Sequence, residues 1–122
     1  MRKMLLATAT VAALTMALAL AAVALAGTAT KVTIEAQQGG FFGFVHSSKQ
    51  DPCELNRKVK LYKQKGSEQK PHTDRLIGTD IAQPNGPDSQ WSINTDKSGK
   101  FYARTPAKGI CDRGASKTIH SQ

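Results

Sequence analysis

The side chains able to do chemistry in this sequence are few, and their spacing organises none of the familiar reactions. His46, His72 and His120 stand 26 and 48 residues apart in polar surroundings. None falls in an HxxxH, HExxH or nucleophile-elbow arrangement, so each reads as a solvated surface imidazole. The run Asn94-Thr95-Asp96-Lys97-Ser98-Gly99 opens like a calcium loop, with side-chain oxygens at positions one, three and five and glycine at six. Position twelve, however, is Thr105 where such loops need a bidentate glutamate, so calcium is rejected there. The nine acidic residues form no pair that a strand or helix would bring together, which leaves glycosidic chemistry without an address. The chain reads as a non-enzyme with no catalytic residue, no metal and no cofactor.

The two cysteines, Cys53 and Cys111, depend for their meaning on the compartment. Arg2 and Lys3 precede an uncharged apolar stretch over residues 5 to 26 that ends in Ala24-Leu25-Ala26, the small residues a signal peptidase reads. The expected product is secreted, begins near Gly27 and carries no transmembrane segment. A retained membrane anchor is the alternative. In an oxidising compartment two cysteines with no CxxC and no histidine at ligand spacing read as one disulfide, Cys53–Cys111. Without residues 1 to 26 the domain is 27–122, and only 27 of its 96 residues are hydrophobic. A core that lean suits a covalent tie. Two of the 17 basic residues leave with the signal, so the net charge is 15 minus 9, or +6.

The elements that must position these residues are strands. KVTIEA (31–36), FFGFVHS (41–47), KVKLYK (58–63), RLIGTDIA (75–82), QWSINT (90–95), KFYART (100–105) and SKTIHSQ (116–122) alternate or carry β-formers, and turn residues separate them. Asn85-Gly86 is the strongest turn signal, and Asp96-Lys97-Ser98-Gly99 reads as a hairpin loop. Seven short strands in one domain predict an all-β, seven-stranded antiparallel sandwich of Ig-like or transthyretin-like type.

In chain order, Gly43-x-Val45, Asn56-Arg57-Lys58-Val59-Lys60-Leu61-Tyr62, Ile77-Gly78-Thr79-Asp80 with Gly86, Trp91-x-Ile93 and Gly99-x-Phe101-Tyr102-Ala103 resemble the carboxypeptidase regulatory-like group of transthyretin-like (prealbumin-like) sandwiches. The resemblance covers residues 40 to 106. The chain is also similar to small secreted actinobacterial-type proteins of uncharacterised role. The family resemblance implies a structural, adhesive or carbohydrate-associated module, and Cys53–Cys111 is not part of the family pattern. It also implies that Phe41, Gly43 and Val45 face the core, which sends Phe42, Phe44 and His46 to the other face. The two phenylalanines would then be exposed aromatics, as would Tyr62, and are either covered by a neighbour or form a ligand platform.

Arg57, Lys58, Lys60, Lys63, Lys65 and Lys70 gather in one strand and its following loop, and alternation sets Tyr62 on the outward face with Lys58 and Lys60. Two readings stand: a solvated strand whose lysines guard a sheet edge, or a polyanion-binding surface. The expected partners are an anionic cell-wall polymer or polysaccharide, or an extracellular protein. No nucleic-acid recognition motif is present. The functional expectation is a secreted, non-enzymatic binding or structural module at or beyond the cell surface. The alternative is a secreted inhibitor or effector acting on a protein through KGSEQKPHTD or QPNGPDS.

Overall fold

The structure, a computed structural model, describes residues 27–121, so the expected export signal and Gln122 lie outside the described residues. Two antiparallel five-stranded sheets face each other. The strands are β1 (Thr30–Val32), β2 (Glu35–Gln37), β3 (Gly40–Ser47), β4 (Lys58–Gln64), β5 (Arg75–Ile81), β6 (Gln83–Asn85), β7 (Asp88–Asn94), β8 (Gly99–Thr105), β9 (Gly114–Ala115) and β10 (Ile119–Ser121). A single helical turn, α1 (Gln50–Cys53), joins β3 to β4. The first sheet runs β1-β3-β7-β6, with β2 also on β3; the second runs β10-β8-β4-β5, with β9 also on β8. Among the described residues no helix is long and apolar enough to cross a membrane.

The expected all-β sandwich is present, with ten strand segments among the described residues rather than seven. Three segments are extra: β9 is a short pairing of Gly114-Ala115 with the end of β8, and β2 and β6 arise where the chain bends or changes sheet. In residues 31–36 the Thr33 amide donates to Phe44 O at 3.0 Å and the Phe44 amide donates to Thr33 Oγ1 at 2.8 Å. That local bend separates β1 from β2, while Val32 and Ile34 both stay buried. In residues 75–82 the chain leaves the second sheet at the buried Ala82, whose amide donates to Arg57 O at 2.9 Å, and enters the first as β6. Asn85-Gly86 does turn a hairpin, pairing Asn85 with Asp88 around Gly86 at φ +68°. Asp96–Gly99 does not: β7 and β8 belong to different sheets, so this loop crosses the sandwich, with Gly99 at φ +128°.

Inward-facing residues of both sheets fill the space between them. Phe41 of the first sheet meets Phe101 of the second with ring centroids 4.5 Å apart, and Val45, Val59, Leu61, Trp91 and Ala103 are fully buried around them. Trp91 donates its indole N–H to Thr33 O at 3.1 Å. That crossing needs the bare backbone of Gly43, because a Cβ there would collide with Thr33 O and sit 2.8 Å from the Trp91 indole nitrogen.

Cys53 and Cys111 are bonded, and both are buried. Beside them lies Arg57, only 1% exposed. Its guanidinium donates to Thr30 Oγ1 (3.2 Å), Cys53 O (2.7 Å), Pro106 O (2.9 Å) and Asp112 O (3.0 Å). Burial lowers its pKa. The expected place of Arg57 in an exposed basic surface is therefore corrected: it is a cation enclosed by carbonyls at the point where four segments meet. The Thr28 and Asp112 amides complete the junction by donating to Ile110 O and Thr28 O, each at 2.8 Å.

The bond spans 58 positions of the chain. Closing a loop of that length restrains the unfolded state by about 4 kcal/mol. Replacing both cysteines with serine should therefore lower unfolding stability by about that amount in urea. The native protein should show no titratable thiol; two thiols, or unchanged stability of the serine variant, would contradict this.

Candidate functional site

The outer face of the second sheet carries a groove. Its floor comes from β4 and β8, whose register sets Lys60 opposite Arg104 and Tyr62 opposite Tyr102. One wall is the 65–74 loop, through Gln69, Lys70, Pro71, His72 and Thr73, and the other is Pro106 with Arg113; together they enclose about 550 Å³. Four of the lining residues are cations: Lys60, Lys70, Arg104 and Arg113. No carboxylate lines the groove. Among the described residues the ion pairs are those of His46 on the other sheet, so none of the four is neutralised by a salt bridge. Four like charges around one concavity repel one another, and an anion placed among them relieves that cost.

The wall is held by one carboxylate. Asp74 accepts from the Lys65 amide (3.0 Å), the Lys70 amide (2.8 Å) and Tyr102 Oη (2.6 Å), which folds the loop down onto the sheet. Gln69 Nε2 adds donations to Ser116 O and Thr118 Oγ1, each at 2.9 Å. Tyr62 and Tyr102 stack beneath, with centroids 5.3 Å apart. Tyr62 does point outward as alternation requires, but it is not an exposed aromatic: the loop covers it to 9% exposure. This coverage is a tertiary effect that no local pattern announces.

The other expected site residues disperse. Lys58 is exposed on the outer face and outside the groove lining. Lys63 pairs with Phe101, and its aliphatic chain lies over Gly99. Lys65 lines a smaller cleft on the far side of the loop with Glu68 and Asp74. Because β4 lies between β5 and β8, its lysines guard no edge, which removes the solvated-edge reading. Arg104 and Arg113 escaped the sequence reading. Alternation in KFYART gives Arg104 the same face as Tyr102, but only the β4–β8 register brings it to Lys60.

On the first sheet Phe42 and Phe44 occupy the outer face, but half-buried rather than exposed, and edge to face at 6.4 Å. His120 is exposed on β10, and His72 lines the groove. His46 is not a simple solvated imidazole, because it adjoins Glu54 and Asp88.

No protein-family model and no curated protein matches the chain. Among solved structures it is similar to that of a hypothetical protein, PH1083, from Pyrococcus horikoshii OT3, at 16% identity and a TM-score of 0.40 over 80% of this chain and 90% of that one. A similarity that remote bears on neither fold nor function.

The Asp74–Tyr102 clamp titrates at both ends of the pH scale. Burial pushes Asp74 upward, but the hydrogen bonds from Tyr102 and the Lys65 and Lys70 amides, with the Lys65 charge, bring it below its ordinary 3.8. Its contribution is present above the unfolded value and is lost as pH falls through the lowered one. Tyr102 is raised above its ordinary 10.0 by burial first and then by the bond to, and charge of, Asp74. Its contribution holds below that ordinary value and is lost as pH rises through the raised one. In a Tyr62→Phe background, the absorbance titration of Tyr102 should have its midpoint above 10.0, and Asp74→Asn should lower it. A midpoint at the ordinary value would show that the clamp does not form.

Proposed function

We propose that the protein is an exported, non-enzymatic binding module that holds an acidic polymer, an anionic cell-wall polymer or polysaccharide, in the groove under the 65–74 loop. The observation that carries this reading is the convergence of Lys60, Lys70, Arg104 and Arg113 on one groove whose lining contains no carboxylate. Two of the four are arginines, whose planar forks meet carboxylate or phosphate in a bidentate manner. The wall is already ordered by Asp74 and Gln69, so little chain entropy is lost on binding. The net charge of +6 over residues 27–122, from 15 basic and nine acidic residues, steers anions toward the domain from a distance. Export fits the chemistry of a domain stapled by Cys53–Cys111, since such bonds persist in oxidising compartments. The motif order that resembles the carboxypeptidase regulatory-like sandwiches agrees with a module that binds rather than transforms.

Polygalacturonate and polyphosphate serve as carboxylate and phosphate probes. At least one should bind, with affinity falling steeply as salt rises. Lys60→Glu with Arg104→Glu should weaken binding by about tenfold or more, a loss of about 1.4 kcal/mol. Lys49→Glu with Lys97→Glu changes the net charge equally, outside the groove, and should cost far less. Equal losses in the two double variants would reduce the effect to net charge and sink the groove as the site.

A further inference from the structure

We propose that His46, Glu54 and Asp88 form a binding site for a divalent first-row metal ion of zinc type, on the first sheet and separate from the cationic groove. Glu54 follows His46 by eight positions and Asp88 follows it by 42, and the three come from β3, the residue that caps α1 and the start of β7. The β3–β7 register that pairs Val45 with Ser89 carries His46 alongside Asp88, and α1 delivers Glu54 from the turn that follows β3. One ligand atom from each lies within 4.8 Å of the others.

Glu54 makes this more than a cluster of acids. Its side chain is 1% exposed, and Oε2 accepts the Ser47 amide at 2.7 Å while facing His46 Nδ1 at 3.4 Å. Oε1 is buried with no hydrogen-bond partner. A buried carboxylate with one oxygen unmatched is costly, and the ordinary remedy is a cation. The imidazole alone serves poorly. Its Nδ1 is 2.5 Å from Asp88 Oδ1, so the single N–H that nitrogen can carry is taken, and 3.4 Å to Glu54 is too long for a good second bond. Lys31, opposite His46 on β1, forms no ion pair with either carboxylate.

A divalent ion held by both carboxylate oxygens of Glu54, together with His46 and Asp88, satisfies all three groups, the orphaned Oε1 included. Two carboxylates balance its charge, and neutral His46 supplies nitrogen. Tetrahedral bonds of zinc length hold ligand atoms about 3.4 Å apart. The Glu54–His46 pair already has that spacing, and His46 and Asp88, 56% and 29% exposed, have the freedom to part by the remainder. The Ser47 amide on Glu54 Oε2 acts as the orienting bond that metal ligands usually have behind them. An imidazole with only two carboxylates suits zinc better than calcium or magnesium, which take more oxygens. One position stays open to solvent. Bound there, the ion ties α1, and with it the disulfide-bearing Cys53, to the ends of β3 and β7.

The test is calorimetric titration of the metal-stripped full-length protein with zinc chloride, repeated with cobalt(II) as a spectroscopic stand-in. One equivalent should bind, cobalt should develop tetrahedral visible bands, and saturating zinc should raise Tm by about 5 °C. His46→Ala and Asp88→Asn, both at partly exposed positions, should each weaken zinc by tenfold or more while leaving the circular dichroism spectrum unchanged. His72→Ala and His120→Ala should leave the affinity as it is. Absence of zinc uptake would overturn the site and leave His46 as a bridge between two carboxylates. Parental affinity in the His46 and Asp88 variants would overturn it equally, by placing the metal elsewhere.

Discussion

Arg57 carries a full charge into the interior and meets no carboxylate there. Its four acceptors are three main-chain carbonyls and one threonine hydroxyl, drawn from β1, α1, the segment after β8 and the segment after Cys111. Removing one partner of such an arrangement is far costlier than its net contribution suggests, because the orphaned groups stay buried. The disulfide and the guanidinium share this location: Cys53 supplies an acceptor directly, and Asp112 is the neighbour of Cys111. Arg57 O in turn accepts the Ala82 amide at the corner where the chain passes between sheets. The strands can alternate correctly without this junction, but through it β1 of the first sheet is tied to α1 and to the segments that follow β8 and Cys111.

Both candidate sites flank the same junction. Glu54 follows Cys53 and points toward the first sheet; Arg113 lies two residues beyond Cys111 and closes one wall of the groove on the second. A lean core leaves little to hold long irregular segments, and here a covalent bond and a buried cation hold the segments that the groove and the His46 cluster need.

Much of the fold was legible because alternation is local. Val59 and Leu61 face inward and Lys58 and Lys60 outward, as the period of two demands; for FFGFVHS the same period separates Phe41 and Val45 from Phe42 and Phe44, but which set faces the core came from the resemblance. The Cys53–Cys111 bond followed from counting. What escaped depends on partners remote in sequence. Arg57 looks like one more basic residue beside Lys58 until its carbonyl cage is seen. Tyr62 looks exposed until Asp74 folds a ten-residue loop over it. Asp96–Gly99 has hairpin chemistry but joins different sheets, because turn residues specify a local reversal and not which strand lies alongside. Arg104, Arg113 and the His46 cluster have no spacing signal at all, since β-pairing and the disulfide turn bring them together.

Arg57 and the disulfide act as one structural unit. A double-mutant cycle in urea unfolding, combining Arg57→Met with the Cys53→Ser and Cys111→Ser pair, tests it directly. Without the bond the carbonyls of Cys53 and Asp112 are free to separate, so the arginine loses its cage. The two lesions together should then cost less than their sum, by about 1 kcal/mol or more. Additivity within about 0.3–0.5 kcal/mol would show the guanidinium and the disulfide to be independent neighbours, and would contradict the account.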